Sequence, residues 1–212
     1  MCYAERSAMN EATTGYYEVS NAVQKIVRQY LSNADAASRR AILAKLRHSI
    51  GKPLSQSVDI WPLVLTSVPD DFLSEYEGKN LKLQAVIYTL QIYALYEQGN
   101  LSIEDISADN TGANENALAQ SSSYNMGSCL RILRSDEKQR NAMDRRFSNL
   151  ITSDNIDHFY YNLRQLTGIL KSKTKDSHQH IDYPRLARDL YLFNFNPEKI
   201  RLSWAQEYYR FN

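Results

Sequence analysis

The segment DSHQHID brings His178, His180 and Asp182 into one short stretch. Imidazole nitrogens beside a carboxylate are ligands for zinc or nickel, so this is the first place to look for a metal. The same residues also read as a polar loop in which Asp182 caps the following helix, and that reading is preferred because so short a pattern arises by chance. His158 lies beside Asp157 on an expected helix, and His48 sits among basic residues; neither has a recognisable partner. The carboxylate pairs Asp70–Asp71 and Glu104–Asp105 fall at expected helix starts, where the helix dipole alone favours them. No Gly-rich phosphate loop, GxSxG or HExxH is present. The cysteines, Cys2 and Cys129, stand far apart and in no metal-type spacing, which suits two reduced thiols in the cytoplasm. No catalytic site and no cofactor are expected.

The basic residues offer different chemistry. Arg39, Arg40, Lys45, Arg47 and Lys52 follow one another with no acidic residue between 39 and 52. Arg40 and Arg47 are seven apart and project the same way from a helix. Arg131, Arg134 and Lys138 recur at helical spacing, with Arg145 and Arg146 on the next segment. Guanidinium groups fit phosphate geometry, so Arg40, Arg47, Lys52, Arg131, Arg134, Arg145 and Arg146 are the candidate nucleic-acid contacts. A solvated face explains any single cluster more simply. Lys171, Lys173 and Lys175 read as charges at a helix C-terminus. Exposed rings among the 15 tyrosines would stack on bases, but most occupy apolar-periodic positions, which favours core edges or subunit contacts.

The elements carrying these residues read as helices. The chain of 212 residues is 43% hydrophobic and 23% charged, with a net charge of +1. It is long enough to bury a core, and its 7 glycines and 5 prolines are few for a sheet-rich domain. Residues 1–125 carry 10 basic against 14 acidic side chains, and residues 126–212 carry 15 against 10. A basic half joined to an acidic half can still present an anion-binding face. No signal peptide or membrane span is expected.

Apolar spacing predicts an all-α fold of two packed lobes with no significant sheet. Residues 1–19 are expected to be a loose arm, 20–106 the first lobe, 107–123 a polar loop and 124–212 the second lobe. Helices are expected over Asn21–Leu31, over a stretch capped by Asp35 and running to Ile50, and over Asn80 to about Gln98, with short pieces around Asp59–Leu65 and Asp70–Tyr76. The Asn80–Gln98 helix is apolar on both sides and should be central. In the second lobe, helices are expected over Tyr124–Arg134 and Glu137–Ile151, then from a Ser153 cap to about Lys171, from an Asp182 cap, and from Asn196–Pro197. Ile200, Trp204, Tyr208 and Phe211 form the stripe of the last.

The final segment resembles the C-terminal signature of the CasB family. The matching residues are Asp182, Tyr183, Leu186, Arg188, Asp189 and Leu190, then Trp204, Ala205, Glu207, Tyr208 and Tyr209. The family's Leu-Gly-x-x-Leu-Arg region is matched by Met126, Gly127, Leu130 and Arg131, with Met in place of Leu. Its Arg-Arg-Phe before a Leu-Leu pair is matched by Arg145, Arg146 and Phe147, then Leu150 and Ile151. Leu43–Pro53 and the Trp61–Pro62 step resemble its N-terminal region, departing at His48, where a second Arg often follows Arg47.

The resemblance implies a non-enzymatic small subunit of the type I-E CRISPR surveillance complex, Cascade. It implies contacts with the backbone and large subunits and with a second copy of the chain. A basic groove would hold DNA displaced by the guide RNA and stabilise the R-loop, reading backbone charge while the RNA reads sequence. Two other readings stay open on the residues alone: a helical protein–protein adaptor without nucleic-acid contact, and a small helical enzyme with a metal at His178 and His180.

Overall fold

The computed structural model describes residues 3–73, 80–99, 125–175, 177 and 179–210, with side chains from residue 14 on. Among these residues there are helices and no strand, as the spacing predicts. Helices α1 (Tyr3–Ile26), α2 (Ala36–His48), α3 (Trp61–Val64) and α4 (Leu81–Tyr96) form the first half. Helices α5 (Met126–Leu130), α6 (Glu137–Ile151), α7 (Ile156–Lys173), α8 (Tyr183–Phe193) and α9 (Pro197–Tyr209) form the second. The expected loop 107–123 lies outside the described residues.

The caps show why the helices start where they do. Asp35 accepts from the amides of Ala37 and Ser38, and Asn80 accepts from Lys82 and Leu83. Asp182 and Asn196 accept from Arg185 and Lys199, with Pro184 and Pro197 in the first turns, where no amide is missed. Gly51 and Gly99 follow α2 and α4 with φ of 77° and 92°, the left-handed conformation that ends a helix.

Two expectations change. The cap of α7 is Asn155, which accepts from His158, whereas Ser153 is buried and donates to the carbonyl of Asn149 at the end of α6. Ser153 closes one helix instead of opening the next. The expected loose arm is helical from Tyr3, and α1 passes into a π-helical turn at Val27–Ser32. Polar composition hid this helix because its contact to α8 uses a small residue: a Cβ on Gly15 would run into the ring of Tyr191. Val19, Ala22, Val23 and Ile26 continue the buried face.

Helix α4 is buried on both sides, with Val86, Leu90, Ile92 and Ala94 inaccessible to solvent. It packs against α1, α2, α7 and α8. Helix α8 in turn lies on α1 and α4, so buried side chains of both halves join one hydrophobic cluster. Within the second half α9 packs on α5 and α8, and α6 on α7.

Candidate nucleic-acid interface

The C-terminal end of α4 gathers cations. Its last carbonyls carry partial negative charge with no intrahelical partner. Arg47 reaches the Ala94 carbonyl from α2 at 3.5 Å, and Lys171 reaches the Leu95 carbonyl from α7 at 2.9 Å. The Lys171 ammonium is destabilised first by burial and then by the charge of Arg47, and its pKa falls below the usual lysine value. Two residues further along α7, about 200° round the helix, Lys173 donates to the Leu133 carbonyl, inside the 3-10 turn Arg131–Arg134. Helix α7 therefore touches the end of α4 through Lys171 and the turn after α5 through Lys173, from two different sides. Lys171 and Lys173 are charges at a helix C-terminus, as the sequence predicts, and they also tie α7 to the end of α4 and to the Arg131 turn.

The seven candidate residues differ in availability. Arg40, Lys52, Arg145 and Arg146 are exposed. Arg40 leans its Nε on the Ala36 carbonyl of its own helix. Lys52 borders a small cleft that it shares with Lys45, His48 and Asp59. Arg145 and Arg146 leave α6 about 100° apart. Arg47 and Arg131 are half-buried. Arg134 is committed within the fold. It donates from Nε to Asp144 Oδ1 at 2.9 Å and from Nη2 to Oδ2 at 3.4 Å, with its guanidinium 5.4 and 5.0 Å from the ring centroids of Tyr208 and Tyr209.

The residues that carry the family resemblance pack together. A Cβ on Gly127 would meet the backbone carbonyl of Trp204, and Asn125 donates to the carbonyl and hydroxyl of Ser203. Trp204 is fully buried and its Nε1 donates to Asp189 at 2.7 Å. Phe147 stacks on Tyr208 with centroids 3.7 Å apart. The signature thus describes how α5, α6, α8 and α9 close a core.

At the candidate metal segment, His178 lies outside the described residues. His180 is exposed, its carbonyl accepts from Cys129 Sγ, and Asp182 serves as the cap of α8. Among the described residues no three His, Cys, Asp or Glu side chains are grouped to hold a metal, and no helix is long and apolar enough to cross a membrane. Tyr93, Tyr96, Tyr160, Tyr183, Tyr191 and Tyr208 are buried, which places these rings in the core.

An all-helical fold that carries basic side chains on several of its helices is the class of protein defined so far. Residues 42–209 match the family model of the CRISPR-associated protein Cse2, and the chain belongs to this family, also called CasB. These proteins are non-catalytic subunits of the multisubunit Cascade complex. The fold is similar to the crystal structure of CasB from Thermobifida fusca, with a TM-score of 0.62 and 19% identity over 91% of this chain and 98% of that one. It is also similar to CasB from M. ruber, with a TM-score of 0.60 and 20% identity over 89% and 93%. No curated protein matches the sequence.

Proposed function

We propose that this chain is the small, non-catalytic subunit of a type I-E Cascade, and that it holds the displaced DNA strand by its sugar-phosphate backbone and so stabilises the R-loop in the cytoplasm. The observation that supports this reading is that cations of both halves sit at the same junctions: Arg47 and Lys171 meet at the end of α4, and Lys173 meets the Arg131 turn. Arg40, Lys52, Arg145 and Arg146 extend the same set with exposed charges. Arg134 contributes by holding the Arg131 turn onto α6 and α9. Exposed apolar side chains such as Phe195 and Leu202 are available to the backbone and large subunits or to a second copy of the chain.

The test is R-loop lifetime on the assembled complex. Replacing Arg47, Arg131 and Arg145 together by glutamine should shorten lifetimes and leave subunit and guide RNA content unchanged. Each lost phosphate contact should reduce the log–log salt slope by about 0.7. Base sequence should matter little to these contacts. Lifetimes equal to wild type across salt would show that these residues are not the contacts. If omission of the whole subunit also leaves lifetimes unchanged, the DNA-holding role itself falls and a purely protein–protein adaptor remains.

A further inference from the structure

A groove of about 850 Å³ is formed by α4, α7 and the segment between α2 and α4. Trp61 and Tyr161 line it from the start of α3 and from α7, and both keep solvent-exposed rings, 36% and 53% accessible. Single exposed apolar side chains are ordinary, but two exposed rings lining one groove are a patch that a partner can cover. The indole is held in place, because Trp61 Nε1 donates to the Leu54 carbonyl at 2.9 Å. The Arg164 guanidinium lies 5.3 Å from the Tyr161 ring centroid. Behind them Tyr88 and Tyr160 stack at 3.9 Å and form a rigid aromatic wall.

Charge separates the possible occupants. Two cations, Lys52 and Arg164, border the groove with one carboxylate, Asp157. That carboxylate already accepts from Tyr88 Oη at 2.5 Å and from Gln84 Nε2 at 3.0 Å. An apolar peptide would use the rings and neither cation. A single strand of nucleic acid would use both, because its bases stack on aromatic faces while its phosphates meet Lys and Arg at the edge. Lys52 also lines the adjoining cleft with Lys45 and His48, so the groove runs into the basic end of α2.

We infer that this groove is a stacking site for unpaired bases of the DNA strand, with Trp61 and Tyr161 as the platforms and Lys52 and Arg164 meeting the flanking phosphates. The inference rests on the DNA-holding reading above and adds to it a contact with bases that is indifferent to their identity.

The test uses the assembled complex and target duplexes whose displaced strand carries abasic nucleotides in windows tiled along its length. Phosphates are then unchanged and only bases are missing. One window should shorten the wild-type R-loop lifetime by about tenfold for a stacked base. Complexes carrying Tyr161→Ala, alone or with Trp61→Ala, should have shorter lifetimes on the normal target and lose little more in that window. A wild-type lifetime that no abasic window changes overturns the stacking site, and this comparison needs no variant to fold. So does a lifetime that the abasic window shortens as much in the Tyr161→Ala complex as in wild type. If the triple arginine variant still shortens lifetimes in those cases, the backbone-holding reading stands without the groove. If Tyr161→Ala melts like wild type yet fails to enter the complex, the groove is a protein contact and the inference is wrong.

Discussion

The indole of Trp204 and the carboxylate of Asp189 are joined by a 2.7 Å hydrogen bond that ties α9 to α8. Burial raises the Asp189 pKa to about 6, and the Trp204 N–H, Arg185 and Arg188 offset only part of that rise. In an unfolded chain the group titrates near 3.9. Between about pH 4 and pH 6 the folded state therefore holds more proton on this carboxyl than the unfolded state does. The stability it contributes is fully present below about pH 4 and is lost as pH rises through 6. Asp189→Asn keeps an acceptor for Trp204 and removes the titration. Urea unfolding from pH 4 to 7 should show wild type losing ground to the variant as pH rises. A constant difference would mean that the carboxyl titrates alike in both states.

Trp204→Ala removes a fully buried ring that also packs 5.0 Å from Phe159. The expected loss is about 3–5 kcal/mol, seen as a large fall in Tm. An unchanged Tm would place the ring outside the core.

Gly127→Ala places a methyl group against the backbone carbonyl of Trp204, where no side-chain rotation relieves the contact. Overpacking of this kind costs about 1–3 kcal/mol. Gly168, where a Cβ meets nothing within 4 Å, is the control: Gly168→Ala on α7 should be neutral or stabilising. Thermal melts of the two variants side by side test the contrast, and equal melts would count against the packing of α5 on α9.

Arg134 and Asp144 should be energetically coupled. A double-mutant cycle with Arg134→Gln and Asp144→Asn is expected to give about 1 kcal/mol, as for a two-point ion pair that is partly shielded from water. Arg145→Gln, on an exposed side chain, should leave Tm unchanged. Zero coupling would return Arg134 to the set of free cations.

Cys129 should be inert. Burial pushes its thiol up to about 12, so almost no thiolate exists at pH 8. Alkylation mapped by mass spectrometry should leave Cys129 unmodified in native protein and modified in urea. Modification in the native state would reveal an opening of the core at α5.

Much of the fold was legible because its signals are local. The caps Asp35, Asn80, Asp182 and Asn196 and the two-sided burial of α4 follow from side chains a few residues apart. Helix α1 was not legible back to Tyr3, because the meeting of Gly15 with Tyr191 joins positions at opposite ends of the sequence. Arg134 shows the same limit in the candidate interface. Its spacing to Arg131 and Lys138 is visible, but its capture by Asp144 and the Tyr208 and Tyr209 rings depends on how α9 docks. Lys171 and Lys173 are the converse, ordinary as helix-terminal lysines until tertiary contact brings the Leu95 and Leu133 carbonyls to them. The groove between Trp61 and Tyr161 has no sequence signal, since it is the space left between three packed elements.

The packing of α8 on α1 and α4 sets an order on biosynthesis. A nascent polypeptide leaves the ribosome with α1 and α4 first, and the faces that Leu186, Leu190 and Tyr191 cover stay bare until residues 183–193 have been translated. Trp204 and Tyr208 emerge later still, so the second half of the core also waits on the last helix. A message cut short before codon 183 would yield a product with its central helix open to solvent, a substrate for chaperones and proteases and not a smaller working subunit.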